Sequence, residues 1–113
     1  MKVKKVDEDQ RLIYAEVYAP NIPDSQNEFM RGETIVKMAH SFMRNMRLKN
    51  VDSNHNLEAN GSYVAESFLA RKDDPMFIPG SWVVAIKVLD DDEWDDVKSG
   101  KYNGLSLYGT AKG

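Results

Sequence analysis

Residues 11–18 (RLIYAEVY) are rich in β-formers and end at Ala19-Pro20, with a second proline at Pro23, a pattern that predicts a strand leaving into a loop that runs to about Gly32. Beyond the loop, Ile35, Met38, Ala39, Phe42 and Met46 recur at the spacing of one helical face, and an amphipathic helix follows from it. His40 lies inside that helix but off its apolar stripe, so it reads as a surface or boundary histidine. Asn60-Gly61 is a two-residue hairpin signal, because both central positions of a type I′ turn need positive φ, and residues 61–70 (GSYVAESFLA) read as the outgoing strand. Asp73, Asp74, Pro75, Pro79 and Gly80 give residues 72–80 a loop composition. Residues 82–89 (WVVAIKVL) are nearly continuously apolar, which suits the central, best-buried strand. Residues 90–93 offer an N-cap and an acidic first turn, Trp94 and Val97 stand three apart, and Gly100 follows Lys98, so a short helix is expected there. Residues 104–110 (GLSLYGT) alternate, with Leu105 and Leu107 on one face and Ser106 and Tyr108 on the other, a last strand. Strands with two inserted helices predict an α+β or barrel-like fold.

At 113 residues the chain has the length of one domain, and residues 1–113 are read as such. Hydrophobic residues at 42% and charged residues at 29% are globular proportions, so the chain is expected to fold. Fifteen Lys and Arg stand against 18 Asp and Glu without any basic block, which argues against nucleic acid as a partner because phosphate binding needs clustered positive charge. Cysteine is absent, removing disulfides, a cysteine nucleophile and thiolate metal sites, and a reducing interior is compatible with that. The charged residues 1–10 lack the apolar stretch of a signal peptide, and no 18-residue apolar run occurs, so a soluble, non-secreted protein with no membrane partner is expected.

The candidate chemistry centres on His55, which sits in the polar run Asp52-Ser53-Asn54-His55-Asn56 with no local structural reason to be there. With Asn60 and Gly61 as the two loop residues of a hairpin, counting outward pairs Ala59 with Ser62, Glu58 with Tyr63, Leu57 with Val64, Asn56 with Ala65 and His55 with Glu66. Directly opposite residues have Cβ atoms about 4.5–5.5 Å apart, close enough for a carboxylate to accept from an imidazole N–H. A hydroxyl is a poor nucleophile until a base removes its proton, and the base works best when a third group fixes its tautomer. Ser106, His55 and Glu66 would fill those three roles. The run Gly104-Leu105-Ser106-Leu107-Tyr108-Gly109 is not the G-x-S-x-G elbow and no helix follows it, which disfavours an α/β-hydrolase. Its glycines suit close approach of a peptide or a tight bend in a barrel. A metal held by His55 with Asp52 or Glu58, or by Asp73 and Asp74, is the weaker alternative, since no recognised ligand spacing is present. The acids between Asp90 and Asp96 read as a solvated helix start.

Several motifs occur together in one order: Pro23-Asp24-Ser25-Gln26-Asn27-Glu28-Phe29-Met30, the helix with Ala39, His40 and Phe42, Val51-Asp52-Ser53-Asn54-His55-Asn56, and Val64-Ala65-Glu66-Ser67-Phe68. Pro79-Gly80-Ser81-Trp82-Val83-Val84 follows, then the Asp-rich segment with Trp94 and Val97-Lys98-Ser99-Gly100, then Tyr102-Asn103-Gly104-Leu105-Ser106. From about residue 11 to the end, this series resembles the phage serine proteases of the prohead (capsid maturation) protease group, whose wider clan includes the herpesvirus assembly protease.

The resemblance implies a small, mainly antiparallel β-barrel with two flanking helices, and a catalytic histidine several tens of residues before the catalytic serine. The matching positions are His55 and Ser106. It also implies a serine endopeptidase that cleaves scaffold and major capsid proteins inside the immature shell, in the bacterial host cytoplasm, often with self-cleavage and without metal or organic cofactor. Homodimerisation is an expectation at the level of the clan. Herpesvirus relatives use a second histidine after the serine. None follows His55 here, so the third role falls to an acid such as Glu66 or to water. The chain ends seven residues after Ser106, where related proteases continue, so a strand and part of the oxyanion hole are expected to lie beyond it. The non-enzymatic alternative is a capsid-assembly or structural domain that keeps the protease fold.

Overall fold

The computed structural model describes residues 2–22, 29–45, 51–52, 61–99 and 106–107. Its elements in chain order are β1 (Lys2–Asp7), β2 (Leu12–Tyr18), α1 (Gly32–Arg44), β3 (Val51–Asp52), β4 (Tyr63–Leu69), β5 (Trp82–Lys87), α2 (Asp91–Lys98) and β6 (Ser106–Leu107). Four strands form one antiparallel sheet in the order β1-β2-β5-β4, and β3 pairs with β6 in a separate two-stranded ladder.

The central position of β5 follows from its composition. Trp82, Val83, Val84, Ala85 and Ile86 are all fully buried, so neither face of this strand meets water. On one face Trp82, Val84 and Ile86 join Ile13 of β2 and Val64 of β4 against Ile35, Ala39 and Phe42 of α1, and Trp94 of α2 enters the same cluster. The rings of Phe42 and Trp82 are 5.3 Å apart, and the Trp82 indole N–H donates to Ser67 Oγ at 2.9 Å, so the largest core residue has its polar atom satisfied. On the other face Val83 packs with Ala70 and Phe77, flanked by Tyr14 and Phe68.

That second face is covered by the segment between β4 and β5. Reciprocal backbone bonds, Ala70 N–H to Ser81 O at 2.8 Å and Gly80 N–H to Ala70 O at 2.9 Å, pinch the segment at its base. Gly80 has φ +85°, and a Cβ there would lie 3.2 Å from Pro20 Cγ, so both backbone and space call for glycine. Asp74 Oδ1 accepts the amides of Met76 and Phe77, each at 2.8 Å, which turns Phe77 inward. Glu16, 8% exposed, accepts from Ile78 N–H at 2.9 Å and Ser81 Oγ–H at 3.3 Å and pairs with Lys4 at 3.4 Å, so a buried carboxylate ties the segment to the sheet.

The barrel expectation is not met. The sheet is open, with β1 and β4 as its edges, and does not close on itself. The physical reason lies in β5: a barrel buries the inner face of a sheet by curling it, whereas here helices cover one face and the residue 70–81 segment the other, so closure has no further apolar face to bury. The α+β class stands, as a four-stranded antiparallel sheet with two helices.

β1 was not anticipated. Its valines, Val3 and Val6, stand three apart, which breaks the two-residue alternation of a strand. A register shift between Val3 and Lys5 resolves this: Val3 pairs with Ala15 and Val6 with Ile13, so both valines share the helix-covered face. Arg11 closes the hairpin to β2 with φ +54° and is held by three contacts. Its carbonyl accepts from Val88 N–H at 3.0 Å, its guanidinium meets Asp91 at 2.7 Å and also lies 5.9 Å from the Trp94 ring centroid. In α2 the expected cap is present, Asp90 Oδ2 accepting from Glu93 N–H at 2.9 Å. No helix among the described residues is long and apolar enough to cross a membrane.

Candidate functional site

Ser106 opens β6, which is antiparallel to β3 in the register Asp52↔Ser106 and Val51↔Leu107. The strand that carries the candidate nucleophile is therefore hydrogen-bonded to the strand that leads into the Asp52-Ser53-Asn54-His55 run. His55 itself lies outside the described residues, as do Glu58, Asn60 and the glycines at 104 and 109.

Glu66 is described. It is exposed on β4, opposite Ala85 of β5, and its Oε2 accepts from the Tyr14 hydroxyl at 3.4 Å. Burial, then the neighbouring Glu66 charge and this hydrogen bond, push the Tyr14 hydroxyl above the ordinary tyrosine range. Glu66 follows a register shift: Val64 pairs with Ile86, but Glu66 rather than Ala65 takes the next place, opposite Ala85. Gly61 has φ +89°, the sign a tight turn at Asn60-Gly61 requires, but the pairing of His55 with Glu66 falls on residues outside those described.

Other candidates have structural occupations. His40 is exposed on α1. Asp74 spends its carboxylate on the turn before Phe77, and Asp90 and Asp91 serve the helix cap and the Arg11 pair. Among the described residues no three acids or histidines gather where they could hold a metal ion. Sequence reasoning did not find Tyr14 beside Glu66, because only the register across three strands brings them to one row; nor did it find Glu16, which reads as an ordinary outward position of β2.

Comparison with known families decides what these residues belong to. The profile described as "Putative phage serine protease XkdF" matches residues 1–113. The chain belongs to this family. That agrees with the resemblance carried by the ordered motifs. The phage-like element PBSX protein XkdF of Bacillus subtilis (strain 168) is 36% identical over 112 residues, covering 96% of this chain and 40% of that protein. The uncharacterized protein YqbD of the same organism is 34% identical over 113 residues, covering 96% of this chain and 34% of that protein. The chain thus spans between one third and two fifths of the length of these XkdF-family relatives. No solved structure gives a significant match.

Proposed function

We propose that this XkdF-family chain is a serine endopeptidase that cleaves phage scaffold and major capsid proteins during prohead maturation, within the bacterial host, with Ser106 as nucleophile and His55 as general base. Two findings support the reading: the family is described as a phage serine protease, and β6 is paired to β3 with Ser106 opposite Asp52. The pairing is the structural observation that carries it. Opposite residues of an antiparallel pair have Cα atoms about 4.5–5.5 Å apart, so Ser106 stands beside Asp52, three residues before His55 in sequence. The family description favours this reading over a non-catalytic capsid-assembly domain.

In the proposed reaction Ser106 Oγ attacks the scissile carbonyl carbon as His55 takes its proton, giving a tetrahedral oxyanion held by backbone N–H groups. The C–N bond then breaks, the amine leaves with the proton from His55, and an acyl-enzyme remains. Water, deprotonated by His55, attacks the ester and releases the new carboxylate and Ser106. Glu66 is proposed as the group that accepts the other imidazole N–H and stabilises the imidazolium. The chemistry needs no metal or organic cofactor.

The test is incubation of the purified chain with candidate phage scaffold and major capsid proteins, read on a gel and by mass spectrometry. Cleavage is expected with the parent chain and not with Ser106→Ala; unchanged cleavage by Ser106→Ala rules out the nucleophile.

A further inference from the structure

The sheet separates two apolar clusters of unequal size. On the helix-covered face Ile13, Val64, Trp82, Val84 and Ile86 pack with the buried side chains of α1 and α2, so strands and helices are held together from that side. On the other face the cluster is Ala70, Phe77 and Val83, with Tyr14 and Phe68 at its margin. Phe68 and Val83 are cross-strand partners, and the Phe77 ring meets Phe68 edge-on with centroids 6.1 Å apart. Phe77 is the member that the middle of the residue 70–81 segment supplies, and the slot it fills belongs to the sheet and to the segment's base.

Of residues 71–79, Phe77 alone is buried. Two attachments hold this stretch to the sheet: the Phe77 ring, and the Ile78 N–H that donates to Glu16 at 2.9 Å. The bonds from Asp74 N–H to Arg71 O and from the Met76 and Phe77 amides to Asp74 Oδ1 are internal to the stretch and do not reach the sheet. Its base is closed separately by the reciprocal bonds among Ala70, Gly80 and Ser81, so both ends stay in place when the middle moves. A segment held by so little apolar area opens at lower cost than a central strand buried on both faces.

We infer that residues 71–79 form a lid that lifts from the sheet as one unit while the four strands and the helices stay folded, uncovering an apolar slot lined by Phe68, Ala70 and Val83. Glu16 and Phe77 are its two latches. They act together because Phe77 and Ile78 are adjacent: the ring cannot leave its slot without pulling the next amide from the carboxylate. Once Phe77 has lifted, the Asp74 turn has no support from the sheet, and its amides are open to water as well.

The experiment is amide hydrogen exchange of the 113-residue chain, followed by NMR at urea concentrations below the unfolding midpoint. Exchange through the lid exposes little surface, so the rates of Phe77 and Ile78 should hardly change with urea, whereas Ile86 of β5 should exchange through global unfolding with a steep dependence. Glu16→Gln should speed Phe77 and Ile78 by the same factor, about tenfold, although Glu16 bonds to the Ile78 amide and not to that of Phe77. Phe77→Leu should likewise speed Ile78 about tenfold. Ile35→Val, a small change in the main core, should speed Ile86 about three- to tenfold and leave both lid amides at the parent rate. Three results overturn the inference. The first is a urea dependence of Phe77 and Ile78 equal to that of Ile86, which means that the segment opens with the whole domain. The second is acceleration confined to Ile78 in Glu16→Gln, which means that the two latches are independent. The third is absence of protection at both amides in the parent chain, which means that the lid is not closed.

Discussion

Glu16→Ala tests whether a buried carboxylate holds the residue 70–81 segment over the second face of the sheet. Glu16 is 8% exposed and accepts from the Ile78 amide at 2.9 Å and the Ser81 hydroxyl at 3.3 Å, with Lys4 at 3.4 Å from its other oxygen. A hydrogen bond from a neutral donor to a charged acceptor contributes about 1.5–3 kcal/mol. The longer hydroxyl bond belongs at or below the low end of that range. The Lys4 pair, partly open to water, adds at most about 1 kcal/mol. Removing the carboxylate also leaves the fully buried Ser81 hydroxyl without this acceptor. The loss for Glu16→Ala should be roughly 3–4 kcal/mol, and for Glu16→Gln, which keeps one acceptor without the charge, roughly 1–2 kcal/mol. With a urea slope of about 1–2 kcal/mol/M for a chain of this size, the alanine variant should unfold at a midpoint lower by about 2 M. Amide exchange adds a local readout: Ile78 should lose protection in native buffer while Ile86 of β5 keeps it. A Glu16→Ala variant within about 0.5 kcal/mol of the parent, with Ile78 still protected, would refute this reasoning.

Three further perturbations probe other parts of the fold. Phe42→Ala empties a buried ring site beside Trp82 and should cost about 3–5 kcal/mol in urea unfolding, with a blue-shifted Trp82 fluorescence becoming more solvent-like. Gly80→Ala combines a left-handed φ of +85° with a close approach to Pro20 and should cost about 1–2 kcal/mol, whereas Gly32→Ala at the start of α1 adds a Cβ with nothing within 4 Å and should be neutral or stabilising. The Asp7 carboxyl is held below its ordinary value of 3.8, chiefly by the Gln10 backbone N–H, so its folded-state pKa is depressed. Its contribution is complete above the unfolded value and is lost as pH falls through the folded one. Asp7→Asn should therefore flatten the stability profile below pH ~4, measured by urea midpoints at successive pH values.

The elements that were legible in the sequence are those whose burial is written in one local period. The helical stripe of Ile35, Ala39 and Phe42, the capped start at Asp90 and the unbroken apolar run of β5 all have that property. β1 was hidden because its bulge replaces the two-residue alternation of Val3 and Val6 with a spacing of three. Barrel closure was expected from family resemblance and strand count. What prevents it is non-local: Phe77 and Glu16, 61 residues apart in sequence, bring a loop across the face that closure would have had to bury. At the candidate site, Ser106 and the His55 segment could be singled out by residue type and motif order; the structure pairs Ser106 with Asp52 of β3, and His55 lies outside the described residues. The Tyr14–Glu66 contact could not be read from the sequence, since it depends on a register shift at Ala65 and on a small residue, Ala85, standing between them.

The central claim is that Ser106 is an activated nucleophile. Intact-mass analysis and peptide mapping after exposure to a fluorophosphonate test it most directly, with Ser106→Ala and His55→Ala in parallel. One adduct at Ser106 in the parent chain, none in Ser106→Ala, and labelling slowed by about 10²-fold or more in His55→Ala is the predicted result. An adduct on the Ser106→Ala chain at the parent rate, or a His55→Ala chain that labels as fast as the parent, would contradict it.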